Sequence, residues 1–465
     1  MEPIRVALLP MYVALYDTSS PHMRPEIEAF AQRIAGSLQT RGLEVLSAPV
    51  CRLQEEFAQA IRTFEQSGAE AIVTLHLAYS PSLESAKPLS QTELPLIVLD
   101  TTPDYLFDTT VSSDRLMYNH GIHGVQDMCN LLVRNGKPFA IFAGHAEHSD
   151  VLDRVAAAAR AAAIWTRLSH ARVGLIGEPF KGMGDFQVPE SLLQERLGIT
   201  VLHHPMNGSA PRPEDIDPQE LEAEYNLDSQ RVDMGPEISR ETYDATERVA
   251  LSVRHWIEKE KLTAFSMNFE EAGRHSSFPT MPFSEACKAM SREVGYAGEG
   301  DALTAAFVSA LLRAHPDTTF AEMFCPNWSG NTIFFSHMGE FNLNACDGRP
   351  HMIVKDFCFG DGFNPTSILG HFKPGAVCFA NLAPVADGFR LILADGEMVK
   401  LAERIGSFED SVSGWFRPNL PIAQFLEAYS RAGGTHHGAL VYGATADELR
   451  NLAVFANMEC TVIQG

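Results

Sequence analysis

The first 168 residues alternate short β-rich runs with helical stretches, and this alternation restricts the fold more than any other feature of the chain. The β-rich runs fall at 6–9, 43–46, 71–77, 96–99 and 139–142, with helical patterns such as 25–38 and 53–64 between them. Strands that alternate with helices are joined by crossovers, so the order predicts a parallel sheet with helices on both faces. The Ala-rich run 155–163 predicts a closely packed helix, because Ala is the best helix former.

A second α/β segment starts with the run 171–177, which ends in a glycine turn. It continues through strand-like 199–202, a long amphipathic helix at 240–261, a strand at 263–267 and a helix at 301–313. The acidic, Pro-containing stretch 210–217 reads as a surface loop. Beyond about 316 the texture changes to strand-like runs at 332–336, 351–354, 376–380 and 389–393, followed by a helix at 422–431, a strand at 439–442 and a helix at 445–456. Short runs with turn signals predict a mainly-β, barrel-like region. The expected architecture is therefore α/β, with two doubly wound parallel-sheet domains (1–168 and 169–316) followed by a β-rich domain (317–465). The length of 465 residues fits three domains at about 150 residues each.

Lys and Arg number 36 against 59 Asp and Glu, a net charge of −23 that disfavours a nucleic-acid partner. No run of about 18 apolar residues is present, and the opening segment lacks a signal-peptide core, so neither a membrane span nor export is expected. Eight scattered cysteines without a C-x-x-C pair fit reduced thiols and a cytoplasmic protein.

Three Gly-rich segments fail as nucleotide sites. Gly295-Tyr-Ala-Gly298-Glu-Gly300 does not fit G-x-G-x-x-G and is not expected to close a strand of a βαβ unit. Asn135-Gly136-Lys137-Pro138 has Pro where a phosphate loop needs Ser or Thr. Gly177 to Gly184 has neither spacing. No nucleotide cofactor is expected. A G-x-S-x-G elbow is also missing, and Ser329 reads as a turn residue.

Carboxylates and imidazoles concentrate late in the chain: Glu299 just before a helix, Glu322 in Phe-Ala-Glu-Met, His337 in Phe-Ser-His-Met, and the pair His436-His437. Each has a plain structural reading. A Glu before a helix complements the helix dipole, a Glu at a strand edge is solvated, and a His among Phe and Met is a packed core residue. Taken in order, however, Gly295-Tyr-Ala-Gly-Glu-Gly-Asp301, Ser336-His-Met338 and Ala432-Gly-Gly-Thr-His-His437 resemble motifs of the L-arabinose isomerase family. Leu75-His76-Leu-Ala-Tyr79-Ser80-Pro81 and Asn119-His120-Gly-Ile-His123-Gly124 resemble two more, so the resemblance runs through nearly the whole chain.

The resemblance implies a divalent-metal aldose–ketose isomerase with the metal on Glu299, Glu322, His337 and His437. Such a ligand set suits Mn²⁺, with Co²⁺, Fe²⁺ or Mg²⁺ as alternatives. Isomerisation removes a weakly acidic C–H proton beside a carbonyl. A Lewis acid stabilises the cis-enediolate, while Glu299 and Glu322 divide the acid and base work. The resemblance also implies that Leu15, Tyr79, Met183 and His436 line the sugar pocket. In the same way, His123 is expected to serve a neighbouring subunit in a homotrimer or homohexamer.

Three departures from the family pattern point away from L-arabinose as substrate. Val13 stands where the family carries Gln, His120 stands where it carries Gln, and Met323-Phe-Cys-Pro-Asn-Trp328 replaces an acidic, Tyr/His-rich run. Changing a pocket's polar groups leaves old hydroxyls unpaired. The alternatives are a catalytically silent sugar-binding or regulatory protein, and an epimerase that uses the same metal site.

Overall fold

The computed structural model describes residues 2–205, 209–386, 388–400, 408 and 410–465. The chain divides into two compact units, one of residues 1–166 with 447–457 and one of residues 167–446 with 458–465.

In the first unit five parallel strands are ordered 2-1-3-4-5: Ile4–Met11, Leu43–Ser47, Ala71–His76, Leu96–Asp100 and Phe139–Ala143. Each expected strand is present, within two residues of the expected bounds at either end. The three central strands are almost wholly buried, which is why they read as continuous apolar runs rather than alternating ones. Leu9, Ile72 and Val98 of the sheet pack with Phe57, Ile61 and Phe64 of the helix Gln54–Gln66 and with Val125, Met128 and Leu132 of the helix Gly121–Arg134.

Among the described residues, the second unit holds three sheets. Four parallel strands are ordered Gly295–Gly298, Ala264–Met267, Arg172–Ile176 and Thr200–His203. The expectation that Gly295 to Gly300 does not end a βαβ strand is therefore corrected. Gly295–Gly298 pairs in parallel with Ala264–Met267 and leads into the helix Ala302–Leu312. Gly and Ala carry no β signal, so the sequence pattern hid a strand made by its neighbours.

The large C-terminal sheet has seven strands in the order Gly375–Val385, His437–Tyr442, Thr319–Asn327, Thr332–His337, Val412–Pro418, Gly388–Met398 and Glu459–Val462, with an additional pairing between Gly375–Val385 and Gly388–Met398. Its pairs are antiparallel except for the parallel addition of Glu459–Val462. Phe335, Phe379, Phe416 and Phe425 form its aromatic core. A small third sheet joins Asp233–Met234, His351–Val354 and Thr366–Leu369. Among the described residues, no helix is long and apolar enough to cross a membrane.

Candidate metal centre

Two turns and one sheet register bring the late acids and imidazoles together. The strand Thr319–Asn327 lies between His437–Tyr442 and Thr332–His337, with Glu322 directly opposite both His437 and Ser336. Directly opposed residues on antiparallel strands have side chains in contact range. His337 follows Ser336 as the last residue of its strand.

Glu299 arrives from the parallel sheet, on the turn between Gly295–Gly298 and the helix Ala302–Leu312. Its backbone is left-handed (φ 63°), a conformation that costs a non-glycine residue about 1–3 kcal/mol. The glycines around it serve the same turn. A Cβ at Gly298 would stand 2.6 Å from His337 Cε1, and Gly300 combines φ 86° with only 2.7 Å between a would-be Cβ and Pro179 Cα. The G-E-G triplet thus lets an imidazole lie against a strand end while a carboxylate is thrust past it.

Potential ligand atoms form two overlapping triads, Glu299/His436/His437 and Glu322/His337/His437, within each of which the atoms lie no more than 4.8 Å apart. His437 belongs to both. Glu299 Oε2 is 3.6 Å from His437 Nε2 and 3.7 Å from His436 Nε2, and all three atoms are buried without a hydrogen-bond partner. Buried polar atoms are almost always satisfied, so three orphans that converge on one point make this a candidate site for an ion or ligand.

The opposite face of each imidazole is held by a carboxylate. His337 Nδ1 is 2.7 Å from Glu340 Oε2, His437 Nδ1 is 3.0 Å from Asp301 Oδ2, and His436 Nδ1 is 2.6 Å from Asp185 Oδ2. A carboxylate only accepts, so each Nδ1 carries the proton. In His337 and His437 that leaves Nε2 to present its lone pair inward, the arrangement of metal-binding histidines. His436, pulled down by burial but pushed up to about 10 by Asp185 and Glu299, keeps a proton on Nε2 as well. Asp301 has a second task, since its Oδ1 accepts from Thr304 N and caps the helix Ala302–Leu312. Glu340 also accepts from Tyr296 OH and Gly339 N, each at 2.8 Å. Phe186 stacks on His437 with 5.3 Å between ring centroids.

The electrostatics are those of a crowded acid–imidazole site. Burial pushes the Glu299 carboxyl up, but the neighbouring imidazoles of His436, His437 and His337 outweigh it and hold it below the usual range. Burial raises Glu322, against the pull of His337, His437 and His436. Burial pulls His337 down, and Glu340 more than restores it.

Beside this centre lies a cavity of about 470 Å³, lined in part by Glu299, His337, Met183, Phe269, Met281 and Phe283. Of the other expected pocket residues, Leu15, Tyr79 and His123 belong to the N-terminal unit. There Tyr79 stacks on His120 at 6.3 Å, His120 meets His123 at 5.2 Å, and Tyr16 OH lies 3.2 Å from His120 Nε2. Leu15 is exposed. Sequence reasoning did not single out Asp185 or Glu340. Glu340 stands three residues after His337, but Asp185 left no local signal, being 251 positions from its partner. A third acidic group, Glu224, Asp228 and Glu247, is filled by Lys288 Nζ at 2.6–2.9 Å and has no room for an ion.

Residues 317–459 match the family model described as the L-arabinose isomerase C-terminal domain. This is the region that contributes Glu322, His337, His436 and His437. Along most of its length the chain is similar to curated L-arabinose isomerases. It is 24% identical to the L-arabinose isomerase of Acidothermus cellulolyticus over 98% of this chain and 94% of that protein. It is 22% identical to that of Nocardioides sp. over 95% and 91% of the respective chains. With the Geobacillus kaustophilus enzyme it shares 24% over 84% and 80%. Among solved structures, a periplasmic solute-binding protein from Actinobacillus succinogenes with bound D-allose is 12% identical, covering 67% of this chain and 91% of that one. Its TM-score of 0.18 is too low to bear on the fold.

Proposed function

We propose that the protein is a cytoplasmic, metal-dependent aldose–ketose isomerase that acts on a free sugar other than L-arabinose. The observation that carries this reading is the convergence of the unpaired Glu299 Oε2, His436 Nε2 and His437 Nε2, with each imidazole anchored from behind by an acid.

The donor set fits a divalent ion. Glu299, Glu322, His337 and His437 would hold it, and two carboxylates with two neutral imidazoles match Mn²⁺, or Co²⁺, Fe²⁺ and Mg²⁺, rather than a metal that prefers thiolates. Bound there, the ion supplies Lewis acidity to the sugar's oxygens. The protein's own groups do the remaining work. One of the two glutamates takes the proton from C2 and returns it to C1. The other moves a proton between O1 and O2, and its carboxyl oxygens need only turn within the site to do so. Asp301 and Glu340 hold the imidazoles in the tautomer that leaves Nε2 free. His436, backed by Asp185, faces the same centre and would donate to a sugar hydroxyl. Leu15, Tyr79, His123 and Met183 are proposed as further sugar contacts, with His123 serving a neighbouring subunit of a homotrimer or homohexamer. The three-part division at about 168 and 316 is part of the same reading.

The test is NMR in D₂O of the Mn²⁺-loaded protein with aldopentoses, aldohexoses and deoxy sugars, reading deuterium at C2 and ketose signals. Exchange with ketose formation is expected, and Glu322→Gln should abolish it while leaving the circular dichroism unchanged. Exchange with inversion at C2 and no ketose would replace the isomerase reading by an epimerase. Binding without exchange would replace it by a silent sugar-binding protein.

A further inference from the structure

The cavity beside Glu299 and His337 has a chemical character that the reacting end of a sugar does not require. Apart from those two residues its wall is largely apolar, formed by the buried Met267, Met281, Phe283 and Phe357 and the half-buried Met183 and Phe269. Its two other buried polar side chains are already committed. Tyr296 OH donates to Glu340 Oε1, and Glu340 Oε2 takes His337 Nδ1 and Gly339 N. Glu270 is exposed and accepts from Asn268. A hydroxyl carried into this space would leave water and find no partner, whereas a methyl would find aromatic and thioether surface. At about 470 Å³ the space is in the range of ligand pockets and is not a packing defect.

We propose that the sugar recognised here is a deoxy sugar whose non-reacting end is a methyl group seated against this Phe/Met wall, with its hydroxylated C1–C2 end at Glu299 and His337. The proposal rests on the isomerase reading for which end reacts, and on the wall itself for which end is apolar.

Calorimetric titration of the full-length Mn²⁺-loaded protein with matched polyols, which bind without reacting, tests it. The pairs are 6-deoxy-galactitol against galactitol and 6-deoxy-mannitol against mannitol, in both enantiomeric series of the deoxy compounds. One deoxy member should bind at least about tenfold tighter than its hydroxylated partner, with a ceiling on the order of a hundredfold for a single hydroxyl. Met183→Gln places a hydrogen-bonding group on a half-buried part of the wall and should narrow that ratio at least threefold. Equal binding within each pair, tighter binding of the hydroxylated members, no binding of any polyol, or a ratio unmoved by Met183→Gln would each overturn the proposal. Deuterium exchange at C2 of the corresponding aldoses separates the two ideas. Preference for the deoxy polyol without exchange supports the methyl-binding wall and removes the isomerase reading, whereas exchange without preference does the reverse.

Discussion

Replacing Glu340 by Gln tests whether the acids behind the imidazoles prepare a metal centre. Glu340 is 1% exposed, and its two oxygens take three hydrogen bonds, from His337 Nδ1, Gly339 N and Tyr296 OH. Gln retains the shape and one acceptor but loses the charge, and its amide nitrogen cannot accept. Whichever way the amide turns, a donor of Glu340's set is left without a partner or a charge-assisted bond becomes neutral. A hydrogen bond to a charged buried group contributes about 1.5–3 kcal/mol. Part of that loss falls on the fold, and the part that orients His337 and raises its basicity falls on the metal. Since 1.4 kcal/mol is a factor of ten, the expected loss of Mn²⁺ affinity is about 10- to 100-fold, the range found for outer carboxylates behind zinc-bound histidines. Mn²⁺ titration by electron paramagnetic resonance measures it, with thermal unfolding of the metal-free protein as the reference for the fold. Wild-type Mn²⁺ affinity in a folded Glu340→Gln protein would refute the argument that Glu340 positions His337 for an ion.

Three further outcomes follow from other parts of the structure. Gly298→Ala puts a methyl 2.6 Å from His337 Cε1, so it should displace that ring and lower Mn²⁺ affinity at least about tenfold, as read by the same titration. Lys288→Met leaves Glu224, Asp228 and Glu247 buried without their shared cation, at a cost of about 3–5 kcal/mol in urea unfolding at pH 7; a loss under 1 kcal/mol would show the network to be dispensable. Burial pushes the His76 imidazole down to about 3 from its ordinary 6.5, and neither ring nitrogen has a hydrogen-bond partner. The unfolded chain therefore binds the proton first, and stability of the N-terminal unit is complete above pH 6.5 and lost as pH falls towards 3. The slope of about 1.4 kcal/mol per pH unit removes about 3 kcal/mol by pH 4, measured by hydrogen exchange of the N-terminal strands. A flat profile over that window would show that His76 does not govern the acid limit.

How much of this was legible in the sequence depends on how local each signal is. The N-terminal strands were readable because buried parallel strands are continuous apolar runs, and the helix Arg240–Glu260 because its apolar face repeats at helical spacing. The strand Thr319–Asn327 was not recognised, although it carries Glu322. Its outer half is exposed and it holds Pro326 and a bulge near Met323, so neither periodicity nor composition marks it. The strand Gly295–Gly298 was rejected outright because its residues are small for the sake of His337 and the helix behind it, not for β propensity. The late motifs could be named from their order, but not one of them contains the information that Glu299 Oε2 meets His436 and His437.

By itself, then, the sequence determined the alternating α/β halves, the β-rich end and the identity of the acids and imidazoles, because propensity, periodicity and motif order are properties of neighbouring residues. The tertiary structure alone decided which atoms converge, which acids stand behind which imidazoles, that Lys288 fills a third acidic cluster, and that the wall beside Glu299 is apolar. Those are contacts between residues as far apart as Asp185 and His436, and they exist only once sheet register and left-handed turns have set the distances.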